Sequence, residues 1–322
     1  MAAPRTPPLP PADGAWFLTD GGIETVLIYQ DGIELPEFAA FVLLDSAAGR
    51  AALRRYYERY LAIAAATPGA GFVLESPTWR AGLDWGRRLG YDAAAMRRLN
   101  GLAIALMHEL REAWRSRIGG AIVVSGCVGP RGDGYAPGAP MDGDDACRAH
   151  GPQVLALAEA GAERITAVTM TTSGEAIGIA RAAAAVERPC VVSFTVETDG
   201  RLPSGETLHE AIARTDAEAE AEAGTAPAWY MVNCAHPSHF EAVLEGGGAW
   251  TRRIRGLRAN ASMRSHAELD AMTTLDDGDP ADLAGRYRRL REVLPNLNML
   301  GGCCGTDHRH VAAIGAAWCQ GR

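Results

Sequence analysis

The chain has 322 residues, 48% of them hydrophobic and 22% charged, with a formal net charge of −8 at pH 7. That is enough apolar material for one large core, and the acidic balance argues against a nucleic-acid partner. No apolar run reaches the roughly 18–20 uninterrupted residues of a membrane span, and seven cysteines at this length fit free thiols in a reducing, cytoplasmic setting better than a secreted disulfide framework.

In chain order, residues 1–14 read as a leader. Pro4, Pro7, Pro8, Pro10 and Pro11 crowd it, and neither a signal-peptide apolar run nor a transit-peptide pattern is present, so disorder is expected. Residues 15–322 are expected to form a single domain. Eight β-rich runs are expected at 16–19, 71–75, 121–125, 164–169, 190–196, 229–234, 254–259 and 298–302. Amphipathic helices are expected at 51–66, where Leu53, Tyr57, Tyr60 and Leu61 share one face, and at 94–118, 152–160, 175–186 and 208–224. Residues 129–143, rich in Gly, Pro and Asp, read as a long loop over the mouth. Eight β/α units predict an α/β fold closed as a (β/α)8 TIM barrel. A doubly wound open sheet alternates in the same way, but no G-x-G-x-x-G opens a helix here.

A barrel carries its chemistry at the C-terminal strand ends. Asp20-Gly21-Gly22 follows the first strand, Glu75 and Thr78 close the second, Asn233-Cys234 closes the sixth and Asn260 follows the seventh. Gly301-Gly302-Cys303-Cys304-Gly305 follows the eighth. The flanking glycines are expected to turn the backbone so that both sulfurs of the pair point inward. Cys234, Cys303 and Cys304 can together hold one zinc ion with a fourth position open, as in catalytic sites; a structural site closes with four ligands, and no C-x-x-C is available to supply them. The bland alternative is that these thiols are small buried hydrophobes. Cys127 can also face the mouth, whereas Cys147, Cys190 and Cys319 read as packing. His308 and His310 either ligate or open the last helix.

Taken together, these motifs resemble the homocysteine S-methyltransferase family of zinc-dependent (β/α)8 barrels. The resemblance rests on Asp20-Gly21-Gly22 with Thr25, Ser193-Phe194-Thr195 with Asp199-Gly200-Arg201-Leu202, and Val232-Asn233-Cys234. It continues in Ala259-Asn260-Ala261, Gly301 through Thr306, and His310-Val311. It implies methyl transfer to homocysteine, forming methionine, with Cys234, Cys303 and Cys304 as zinc ligands. S-methylmethionine or S-adenosylmethionine is the expected donor. Betaine is an alternative, and a corrinoid route would need a separate partner protein. Asp20, Gly21 and Gly22 are expected to hold the amino-acid part of the acceptor, although Asp20 also suits a turn or helix cap. Asn233 either touches substrate or orients the cysteine loop. Glu75, Thr78 and Asn260 complete the expected substrate-binding set.

One departure stands out. Where the resemblance implies an acidic residue after strand four for the substrate amino group, this chain reads Ala167-Val168-Thr169. A buried ammonium without a carboxylate is costly. Either Glu75 restores the charge from strand two, or Glu75 pairs with a rim arginine such as Arg80 and the acceptor is a different small thiol or selenol. A non-catalytic zinc- and thiol-binding barrel is the remaining alternative.

Overall fold

The computed structural model describes residues 14–134, 138–224 and 226–320. All of the proline-rich leader except Gly14 lies outside them. The elements run β1 (Trp16–Leu18), α1 (Ala47–Ala66), β2 (Ala70–Glu75), α2 (Ala93–Trp114), β3 (Ile122–Val128), α3 (Gly143–Glu159), β4 (Arg164–Met170) and α4 (Ser173–Ala185). They continue as β5 (Cys190–Phe194), α5 (Leu208–Ala223), β6 (Trp229–Asn233), α6 (Pro237–Glu245), β7 (Ile254–Ala259), α7 (Pro280–Val293), β8 (Met299–Gly302) and α8 (His308–Gln320). All eight strands are parallel and each pairs with its sequence neighbour. The ring closes where β8 meets β1, Phe17 opposite Met299 and Leu18 opposite Leu300. This is the expected (β/α)8 barrel, and the closure rules out the open sheet.

Local chemistry explains most boundaries. Ser46, Asp92, Asp142 and Thr172 each accept a backbone N–H three residues on, and Thr207 with Glu210 forms a reciprocal capping box. The third helix differs from expectation. It begins at Gly143, nine residues before Pro152, because Asp142 caps it and Asp144 and Asp145 favour its first turn; proline, read as a start, lies inside. The second helix stops at Trp114 instead of running to 118, and β3 continues three residues past 125.

Alternation along the strands sends one set of side chains outward against the helices and the other inward. The inward set at the lower end packs Phe17, Val73, Val191, Trp229, Met231 and Met299 into a small separate core. Above it lies a polar layer: Ser125 Oγ meets Thr166 Oγ1 at 2.7 Å, and Ser193 Oγ donates to Asn233 Oδ1 at 2.6 Å. Arg164 and Glu75 are buried between these levels, Arg164 Nη2 to Glu75 Oε1 being 3.3 Å, with the guanidinium 5.3 Å from the Trp229 ring centroid. The floor of the barrel is therefore sealed, and the open rim lies at the other end.

Candidate active site

Cys234 is the first residue after β6, and its φ of 57° lies in the left-handed region, which costs a residue with a Cβ of order 1 kcal/mol or more. The surroundings hold it there. Its N–H donates to Arg258 O at 3.1 Å. Its carbonyl accepts from His266 Nε2 at 2.6 Å, Asn260 Nδ2 at 3.0 Å and Thr195 Oγ1 at 3.3 Å. His266 is itself fixed by Glu197 Oε1, 3.0 Å from its Nδ1.

The cysteine pair leaves β8 directly. The flanking glycines act differently from expectation: Gly301 and Gly302 are part of the strand, and of the three only Gly305 has a positive φ, 78°. They are glycines because of crowding, since a Cβ on Gly301 would lie 2.2 Å from Thr19 Cγ2 and one on Gly302 2.1 Å from Thr306 Oγ1. Room is thereby made for the first loop to pack on the last.

The three sulfurs converge. Cys303 Sγ lies 3.2 Å and Cys304 Sγ 3.5 Å from Cys234 Sγ, and all three fall within 4.8 Å of one another. Among the described residues they form a cluster with metal-site spacing that includes neither His308 nor His310. His310 is instead engaged by Asp307 and by Asp277 O. Hydrogen bonds from Cys234 and Cys304 hold the Cys303 thiol well below the usual range, with the Arg258 charge assisting against burial, and the same pairing pushes Cys234 up. One proton-poor sulfur among three is a donor set ready for a thiophilic cation.

Asp20 sits behind this cluster in a closed network. Its Oδ1 accepts from Arg258 Nη2 at 2.8 Å and from Thr19 Oγ1 at 2.8 Å, and its Oδ2 accepts from Tyr56 OH at 2.8 Å. Burial pushes the Asp20 carboxyl up, and Arg258 pulls it back in part. Burial also works against the Arg258 charge, but Asp20 and then Glu75 outweigh it, so the arginine stays charged. Asp20 is thus neither a simple turn residue nor a cap. Gly22 N–H donates to Thr306 O at 3.1 Å, and a Cβ there would lie 2.6 Å from Cys303 O, so this glycine gives the first loop its close approach to the cysteine loop.

The other sequence candidates divide. Glu75, Gly21 and Gly22 line the pocket beside the thiols. Thr78 is turned away, its hydroxyl donating to Cys127 O at 2.6 Å. Asn260 acts on the Cys234 backbone. Asn233 accepts from Thr169 N at 3.0 Å and donates to Thr169 Oγ1 at 2.8 Å, and its Nδ2 lies 3.9 Å from Cys303 Sγ. Glu75 has Arg164 as its partner, not Arg80, which bonds Asp133 and Glu37 O and stacks 4.0 Å from the Trp85 ring centroid. Val168 is at the rim, its carbonyl accepting from Trp79 Nε1 at 3.3 Å.

Sequence reasoning missed Arg258, Glu24, Tyr56 and His266. A buried charged residue two positions before Asn260, at the C-terminal end of its strand, was the available signal for Arg258. Glu24 is partly exposed to the mouth and lines the pocket; burial lifts its carboxyl to about 7, opposed by its own backbone N–H and reinforced by the charge on Cys303.

A closed barrel with three thiols converging at its C-terminal rim is the arrangement of a (β/α)8 enzyme able to hold a thiophilic metal ion there. The sequence profile of homocysteine S-methyltransferase matches residues 17–318, and the chain belongs to that family of methyltransferases. It is 26% identical over 241 residues to the homocysteine S-methyltransferase of Escherichia coli K12, spanning 70% of this chain and 73% of that protein. In fold it is similar to the Escherichia coli homocysteine methyltransferase MmuM. The oxidized form gives a TM-score of 0.74 at 21% identity and the metallated form 0.72 at 20%, each comparison covering 94% of this chain and 96% of the other.

Proposed function

We propose that this protein moves a methyl group from a sulfonium donor, S-methylmethionine or S-adenosylmethionine, to the sulfur of homocysteine, giving methionine, with zinc held by Cys234, Cys303 and Cys304. The carrying observation is the convergence of three thiols at one wall of a pocket that also holds Asp20, Gly21, Gly22, Glu24, Glu75 and Arg80. An all-sulfur donor set on loops, with one sulfur already proton-poor, suits zinc over harder divalent ions. When bound, zinc supplies a fourth position at which a small thiol ionises at neutral pH.

The chain's own residues do the rest. Asn233 and the Cys234 carbonyl clamp fix where the sulfurs point, and Arg258, buried behind them, favours the ionised form of Cys303. In the transfer, the acceptor sulfur's electron pair forms the new S–CH3 bond while the donor C–S bond breaks and its pair returns to the donor sulfur. The acceptor's proton has already left on ionisation, so no general base is required in this step. What remains is alignment of sulfur, carbon and leaving group.

The test is methionine formation by reduced, zinc-loaded protein given homocysteine with each of S-methylmethionine, S-adenosylmethionine and betaine separately. Turnover with a sulfonium donor that disappears in Cys303→Ala is expected. Absence of turnover with every donor, at one bound zinc per chain, refutes the homocysteine assignment. A second reading, transfer to a different small thiol, is favoured by Val168 alone.

A further inference from the structure

The charges around the pocket do not cancel in pairs. Asp20 is matched by Arg258 and two hydroxyl donors. Glu75 is matched in charge by Arg164, and Thr166 Oγ1 donates to its Oε1 at 3.1 Å. Its other oxygen, Oε2, is buried without a hydrogen-bond partner, although the residue is only 3% exposed. Arg80 is neutralised by Asp133. That leaves Glu24, which lines the same pocket and is in no ion pair among the described residues. Its own backbone N–H and the Arg80 charge act as counterweights.

A half-buried carboxylate beside a thiolate cluster is disfavoured unless a cation joins it. With Glu24 ionised the pocket has one unmatched negative charge, and it also has a buried acceptor without a hydrogen-bond partner, Glu75 Oε2. A primary ammonium satisfies both, pairing with one carboxylate and donating a further hydrogen bond to the other. Neither the Val168 side chain nor the Thr78 hydroxyl offers it an alternative, since the first is apolar and the second is directed at Cys127 O.

On the reading that the pocket takes a small thiol, we propose that Glu24 is the specificity-determining residue that binds the ammonium group of an α-amino thiol acceptor, with Glu75 Oε2 as the second acceptor. The role lies on the turn after β1, not on β4.

The experiment measures equilibrium binding of homocysteine and of 4-mercaptobutanoate, which is the same thiol acid without the amino group, to zinc-loaded wild type and to Glu24→Gln. Dialysis equilibrium makes the readout independent of turnover, and methionine formation is followed in parallel. Wild type is expected to prefer homocysteine by about 10- to 100-fold, the range for one charge-assisted hydrogen bond. Glu24→Gln is expected to bring that ratio to within a few-fold of one. Because only the ratio is read, a general loss of affinity does not imitate the result. A preference retained in Glu24→Gln, or absent in wild type, overturns the assignment. If wild type forms methionine and Glu24→Gln keeps the preference, the assignment fails while the proposed reaction stands. If the preference collapses but no donor gives turnover, the reaction fails while Glu24 keeps its role.

Discussion

The two sides of the mouth are built in opposite ways. On the thiol side, β6, β7 and β8 with Asp20 beneath them, polar groups are engaged several times over: one carbonyl, that of Cys234, meets three donors, and both Asp20 oxygens are taken. Asn260 Oδ1, Trp229 Nε1 and the Tyr60 hydroxyl are exceptions. On the acceptor side, Glu75 Oε2 and Arg80 Nε are buried without hydrogen-bond partners and Glu24 stands without a countercharge. The first side is organised before any ligand arrives. The second keeps polar groups unmatched, a division of rigidity that suits the proposed reaction, in which a metal would stay and an acceptor would come and go.

The largest effect should come from breaking the organised side. Arg258→Met leaves the Asp20 carboxylate buried without its countercharge and is expected to cost about 3–5 kcal/mol, read as a lower urea midpoint at unchanged slope. A variant within about 1 kcal/mol of wild type would mean that Tyr56 and Thr19 hold Asp20 unaided. A smaller effect is expected from His266→Ala, which removes the shortest of the three bonds to the Cys234 carbonyl. Zinc affinity, measured by chelator competition, should fall about 10- to 100-fold, with partial recovery in His266→Gln if its amide reaches the same oxygen. Equal losses in both variants would locate the effect in packing.

The smallest effect contrasts two carboxylates by the sign of their pH dependence. Asp307 is opposed by burial but held low by Arg309, His310 and Gln30. With the folded value below the unfolded one near 3.8, its stabilisation is complete above about pH 3.8 and is lost as pH falls through the folded value. Glu24 runs the other way: its folded value of about 7 exceeds the unfolded 4.5, so its contribution is complete below 4.5 and is lost as pH rises through 7. Thermal midpoints between pH 5 and 8 should therefore fall more in wild type than in Glu24→Gln, by no more than about 2–4 °C. Parallel curves would show that Glu24 is solvated. Between pH 4 and 2, Asp307→Asn should flatten the acid loss instead.

The barrel and its thiols were legible because both are written locally. A buried parallel strand is an apolar run, and a vicinal cysteine pair at the end of one stands out in any reading. The third helix was placed too late because proline is a start signal and Asp142 is a stronger one, and the choice depends on whether Gly143 can pack against α4, where a Cβ would lie 2.6 Å from Arg181 Nη1. The helix α6 is short and α7 is charge-rich, and neither was among the expected helices. The charge pairs were not legible at all. Asp20 finds Arg258 across 238 residues and Glu75 finds Arg164 across 89, so which carboxylate is matched and which is left over emerges only after the ring has closed.

The seam between β8 and β1 also orders events in time. Gly22 and Thr306 are 284 residues apart yet hydrogen-bonded, and Gly302 N–H reaches Asp20 O at 2.9 Å. On a ribosome adding about 5–20 residues per second, the first loop waits roughly 15–60 s for the last strand, and Cys234 waits several seconds for the other two thiols. A chain broken off before its eighth strand can neither close the ring nor assemble three sulfurs. A metal ion held by all three thiols would therefore mark a ring that has already closed.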